Sequence, residues 1–79
     1  MKVKVRYFAL FREQAGMESE SVDWQGGTAA ELFQEMAARH ATLMPEAAAL
    51  VAINDEMAGW ETTLDEGDEI LFFPPVAGG

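Results

Sequence analysis

The clearest helical repeat in the chain is T-A-A-E-L-F-Q-E-M-A-A, residues 28–38. Ala29, Leu32, Phe33, Met36 and Ala37 fall at i, i+3, i+4, i+7 and i+8, a single apolar stripe. Its start is marked by Thr28 and Glu31, spaced as a capping box. The threonine hydroxyl accepts from the amide three residues on, and the glutamate reaches back. Gln25-Gly26-Gly27 is the turn that feeds it. His40 lies on or beside the stripe at the helix end, where a partly charged imidazole suits the dipole, so its expected role is structural. One such helix can cover only one face of whatever it packs against.

The remaining apolar segments alternate, as strands do. Residues 2–8 place Val3, Val5 and Tyr7 on one side and Lys4, Arg6 and Phe8 on the other. Residues 18–24 read as a second strand, polar at its start as suits a guarded sheet edge. Ala9 to Ala15 between them turns helical, with Gly16 as its stop. That connection is too short for a parallel crossover, so the pair is expected to be antiparallel. Leu50 to Ile53 is a short strand closed by Asn54-Asp55, and Met57 to Trp60 a brief one. Leu64 precedes the turn Asp65-Glu66-Gly67-Asp68, and Glu69 to Phe73 is the last strand. A short helical turn from Pro45 is the reading for 41–48. First and last strands alternate with core-quality residues and form the expected central pair. The fold class is α+β: a ubiquitin-like β-grasp, a mixed sheet with one main helix on one face and an extended, flexible C-terminal tail. Residues 1–75 form the domain and 76–79 the tail.

Several kinds of chemistry are excluded by what the chain lacks. With no cysteine and one histidine in 79 residues, it has no disulfide, thiolate site or histidine cluster. No catalytic residues of its own and no metal site are expected. The tract at 65–69 lacks the spaced ligands of a calcium loop, and Gly26-Gly27-Thr28 lacks the lysine of a phosphate loop. The pairs Glu18-Glu20 and Asp55-Glu56 sit in polar surroundings, with no burial to raise a carboxylate pKa. A net charge of −9, from 14 acids and 5 bases, argues against nucleic acid and anionic membranes. It keeps a small protein soluble and favours a basic partner surface. No run of apolar residues is long enough to span a bilayer. The alternating N-terminus is unlike a signal peptide, so the expected location is cytoplasmic.

Two features remain. Strand parity turns Phe8, Leu71 and Phe73 to the side of the sheet away from the helix, as a contiguous exposed apolar patch that Met57 extends. Such a patch marks an interface; the alternative is that Phe8 turns inward where its strand ends. The second feature is the end of the chain, F-F-P-P-V-A-G-G at 72–79. Pro74 and Pro75 cannot donate to a ladder, so they stop the sheet and favour a stiff, extended exit. Val76, Ala77, Gly78 and Gly79 have shrinking side chains. The segment after Phe73 can reach about 20 Å, and its glycines fit a narrow channel. The reactive group is then the terminal carboxylate, activated as an acyl-adenylate, rather than any side chain. The alternative is an idle terminus on a plain binding module.

These residues resemble a known family. V-K-V-R-Y-F-A-L-F-R-E at 3–13, V-A-I-N at 51–54 and L-D-E-G-D-E-I-L-F-F-P-P-V-A-G-G at 64–79 are similar to the sulfur-carrying small subunits of molybdopterin synthase, in the MoaD/ThiS group of ubiquitin-like carriers. The resemblance implies that an ATP-using, E1-like adenylyltransferase adenylates Gly79. A persulfide donor then supplies the sulfur of a thiocarboxylate, and the tail enters the large synthase subunit. There the sulfur passes to cyclic pyranopterin monophosphate, making the dithiolene that holds molybdenum. No cofactor is bound permanently; ATP serves the activating enzyme. Gly79 carries the sulfur and Gly78 gives backbone clearance, while Phe8, Met57 and Phe73 correspond to apolar partner contacts. Leu71, Pro74, Pro75, Val76 and Ala77 complete the expected contact set. The family also implies a heterotetramer with two large subunits. Carriers for thiamin or tRNA thiolation, and protein modifiers joined through Gly79, need the same adenylation and stay open.

Overall fold

The computed structural model describes residues 1–40 and 49–74. The expected helical turn at Pro45 and the tail 76–79 therefore lie outside the described residues. The elements run β1 (Lys2–Tyr7), α1 (Leu10–Ala15), β2 (Ser19–Asp23), α2 (Ala29–Arg39), β3 (Leu50–Ile53), β4 (Glu56–Ala58) and β5 (Glu69–Phe73). Their order in the sheet is β2-β1-β5-β3-β4.

The pairing follows from connection length. β1 and β2 are joined through the short helix α1 and pair antiparallel, from Lys2 opposite Asp23 to Arg6 opposite Ser19. β3 and β4 form a two-residue hairpin in which Asn54 and Asp55 both take positive φ, 53° and 69°. That is the primed turn whose twist matches the flanking strands. β1 and β5 pair parallel, Val5 beside Ile70 and Tyr7 beside Phe72. A parallel pair needs a long crossover, and nearly the whole chain supplies it. β5 is thus the middle strand, with β1 on one side and β3 antiparallel on the other.

α2 begins as its sequence dictates. Thr28 caps it, accepting from the Glu31 amide at 3.2 Å, while Glu31 Oε1 accepts from the Thr28 amide at 2.8 Å. The next two amides, of Ala29 and Ala30, donate to the carbonyls of Thr62 and Trp60 at 3.0 and 2.9 Å. The orphan donors of the first turn are thereby satisfied, and the 60–62 loop is fastened to the helix start. Gly27 before the cap has φ +139, and a Cβ there would sit 2.5 Å from Glu31 Oε1. That φ favours glycine, and a Cβ there would also displace the Glu31 carboxylate from the cap.

The core lies between α2 and one face of the sheet. Val3, Val5, Tyr7, Ile70, Phe72 and Val51 from the strands meet Ala29, Leu32, Phe33 and Met36 from the helix, all buried. Phe33 is the hub of an aromatic cluster, edge-on to Phe72 at 4.8 Å and to both Phe11 and Trp60 at 5.5 Å. Leu64, read in sequence only as preceding a turn, is 1% exposed and part of this core. The described residues thus form the mixed sheet with one main helix on one face that the periodicities predict.

Candidate functional site

In strands, side chains alternate between faces, so the residues that leave the core define the opposite, uncovered face. The register across the strands assembles them into rows. Arg6 stands beside Leu71, Leu71 opposite Ala52, and Ala52 opposite Met57. One step along, Phe73 stands opposite Leu50. Phe8 continues β1 past its last paired residue, its amide donating to the Phe72 carbonyl at 3.1 Å. Alternation with buried Tyr7 puts its ring on the open face, where it is 60% exposed. Phe8 does not turn inward.

Phe8, Leu71, Phe73 and Met57 therefore share one face. Met57, on the far edge strand and 63% exposed, joins the others through Ala52. Strands sit roughly 5 Å apart, so Met57 is about 10 Å from β5. Two further residues of this face went unnoticed in the sequence: Leu50, 39% exposed, and the small Ala52, which its neighbours leave only 7% exposed. Their signal was the alternation of L-V-A-I, but only the β3–β5 register shows that the outward pair abuts Phe73 and Leu71. Leu10, half exposed at the start of α1, is a further apolar residue at the surface. Between it and Phe8, Ala9 takes φ 52 and ψ −123, a strained conformation for a residue with a Cβ.

The chain leaves the domain from this patch. Phe72 is fully buried, stacked on Trp60 at 5.8 Å, and it anchors β5 immediately before the strand ends at Phe73. Pro74 follows, partly buried. Pro75, Val76, Ala77, Gly78 and Gly79 lie outside the described residues.

On the helix side, one polar cluster was not anticipated. Glu20 Oε2 accepts from the Tyr7 hydroxyl at 2.7 Å and meets His40 Nε2 at 2.5 Å, while Arg39 lies 3.8 Å from Glu20 Oε1. The Glu20 side chain is only 15% exposed, so the expectation of polar surroundings is corrected. The strand pairing of Glu20 with Val5 turns it towards the helix C-terminus. Burial alone would raise its pKa, but the hydrogen bonds from His40 and Tyr7, with the charges of His40 and Arg39, win and hold it below its ordinary value. Burial first, then the Glu20 hydrogen bond and charge, push the Tyr7 phenol well above its usual range. A carboxylate held ionised and a phenol held neutral form a brace between β1, β2 and α2, not an acid–base pair. His40 has the structural place expected of it, capping α2. Among the described residues, no cluster of histidines and carboxylates could hold a metal ion. Nor is any helix among them long and apolar enough to cross a membrane.

The described site is thus a surface and an exit point rather than a cleft with reactive side chains. The ThiS family model matches residues 5–79, nearly the whole chain. The chain belongs to the ThiS family. The molybdopterin synthase sulfur carrier subunit of Escherichia coli is 38% identical, over 98% of this chain and 99% of its own. Among solved structures, SAMP1 of Haloferax volcanii matches with a TM-score of 0.83 at 26% identity, covering the whole of both chains. The complex of subunits 1 and 2 of the molybdopterin-converting factor from Helicobacter pylori matches with a TM-score of 0.69 at 27% identity, again over both whole chains. This ThiS-family chain therefore shares its fold both with a subunit of a two-subunit assembly and with an archaeal protein of the same size.

Proposed function

We propose that this ThiS-family chain is the sulfur-carrier subunit of molybdopterin synthase, with its C-terminal carboxylate as the working group. One observation carries the reading: an uncovered apolar face ends at Pro74, directly before P-V-A-G-G, in a chain alike over its full length to carriers of that name. An E1-like enzyme uses ATP to convert the Gly79 carboxylate into an acyl-adenylate. The outer sulfur of a persulfide donor attacks the acyl carbon, AMP leaves with one carboxylate oxygen, and a thiol reductant then cleaves the S–S bond of the acyl disulfide to leave the thiocarboxylate. The thiocarboxylate enters the large subunit, its sulfur bonds to cyclic pyranopterin monophosphate, and water cleaves the acyl C–S bond, leaving the sulfur on the pterin and restoring the Gly79 carboxylate. Phe8, Leu71, Phe73 and Met57, with Leu50, are the docking face. Pro74, Pro75, Val76 and Ala77 lead the chain into the partner, and Gly78 lets the backbone pass a narrow channel.

Intact-mass measurement after incubation with the activating enzyme, ATP and a sulfur donor tests this. The expected result is a gain of one sulfur for one oxygen, absent when Gly79 is deleted or followed by extra residues. An unchanged mass overturns the reading. A second reading, protein modification through Gly79, is favoured by the likeness to SAMP1, which is a small archaeal modifier protein. It predicts covalent conjugates of higher mass in place of, or beside, the thiocarboxylate.

A further inference from the structure

Resting on the reading of the open face as the large-subunit docking surface, we propose that the partner meets it with a carboxylate-lined rim, seated against Lys2 and Lys4. The chain as a whole is strongly acidic, yet the parity of β1 sends Lys2, Lys4, Arg6 and Phe8 along one line of the open face. At roughly 6.6 Å per pair of residues, that line is about 20 Å long. It runs from two cations through Arg6 to the apolar anchor Phe8.

Among the described residues, the acids sharing this face are Asp23, opposite Lys2, and Glu69, beside Lys4. Both already have a cation. Asp23 lies 3.8 Å from the Met1 ammonium, and Glu69 Oε1 is 3.0 Å from Arg6 Nη1. Nearby, Glu66 accepts from the Lys2 backbone amide at 2.9 Å, but no described carboxylate lies within 4 Å of either lysine ammonium. Lys2 and Lys4 are exposed and left as surplus positive charge beside the patch. The net charge of the protein repels acidic surfaces at long range, whereas Lys2 and Lys4 attract them within a Debye length of about 8–10 Å. An apolar patch with a local excess of the opposite sign fixes orientation and raises the association rate more than final affinity. A protein partner fits better than a polyanion, because Asp23 and Glu69 flank the two cations from the strands on either side of β1, and the row continues through Arg6 to the apolar anchor Phe8.

The test is the association rate with the purified large subunit at 50, 150 and 500 mM salt. The double variant Lys2→Glu/Lys4→Glu is compared with wild type and with Glu35→Lys on the outer side of α2. At 50 mM the double variant is expected to associate about tenfold more slowly, within the range steering supplies. The gap closes by 500 mM, and Glu35→Lys shows no such loss. Equal or faster association of the double variant at 50 mM overturns the rim while leaving the docking face intact. Failure of wild type to bind the large subunit at any salt overturns the docking reading, and the rim with it. Wild-type binding to phosphatidylserine vesicles at 50 mM, lost in the double variant, also overturns the proposal by assigning the row to a membrane surface. Circular dichroism of each variant confirms that the rates compare folded proteins.

Discussion

Phe72 and Phe73 are neighbours in sequence and face opposite sides of the same strand. Phe72 is sealed between Phe33 and Trp60, whereas Phe73 stands opposite Leu50 on the uncovered face. β5 therefore joins the core to the proposed docking surface within one residue, and two adjacent phenylalanines should respond to mutation in opposite ways.

Phe72→Ala removes a fully buried ring from the aromatic hub and leaves a cavity. A loss of about 3–5 kcal/mol is expected, read as a lower urea midpoint. Phe73→Asp, at a half-buried ring outside the core, should cost clearly less stability than Phe72→Ala and still weaken association with the large subunit by at least tenfold. Equal stability losses in the two variants would contradict the two-faced strand. Unchanged affinity of Phe73→Asp would contradict the docking face.

Leu50→Asp extends the same reasoning to a residue that only the register identified. Its partner on the open face is Phe73, so titration calorimetry should show weaker binding of the large subunit with the fold retained. Wild-type affinity would confine the interface to β1 and β5.

The Glu20 brace makes stability depend on pH with a definite sign. Its folded-state pKa lies below the ordinary carboxylate value, so the stabilisation is fully present above that value and is lost as pH falls through the folded one. Glu20→Gln should cost about 1–3 kcal/mol at neutral pH by weakening partly buried hydrogen bonds. The wild-type advantage should shrink as pH is lowered from 6 to 3. Parallel urea midpoints for the two proteins across that range would remove Glu20 from the acid response. In strong base the reverse holds for Tyr7. Its raised pKa means that its contribution is present below the ordinary phenol value and lost as pH rises beyond it.

Thr28→Ala deletes the hydroxyl that accepts from the Glu31 amide. A loss of about 1 kcal/mol is expected, with Thr28→Ser restoring most of it. If alanine is neutral by thermal unfolding, the loop bonds from Thr62 and Trp60 hold the helix start unaided.

Much of the fold was legible because it is written in local periods. The stripe from Ala29 to Ala37 and the alternation of Val3, Val5 and Tyr7 each require only a few consecutive residues. The capping box needs only the spacing of Thr28 and Glu31. Parity even placed Phe8, Leu71 and Phe73 together, since β1 and β5 could be recognised as neighbours. Leu50 and Ala52 were missed because membership of the patch depends on which strand β3 lies beside. Glu20 was misjudged for a related reason: its sequence neighbours are polar, while the residues that bury it, Tyr7 and His40, are 13 and 20 positions away.

The sequence alone was sufficient for the main helix, the alternating strands, the lack of cysteine and the diglycine end, because each is a property of short segments or of composition. Tertiary structure decided what those segments face. It set β5 between β1 and β3, paired Leu50 with Phe73, closed Glu20 against the helix and, among the described residues, left Lys2 and Lys4 without a carboxylate partner. Such relationships join residues distant along the chain. They come into being only when burial of the shared core selects one register, and a shift of a single residue would turn every side chain of a strand to the other face.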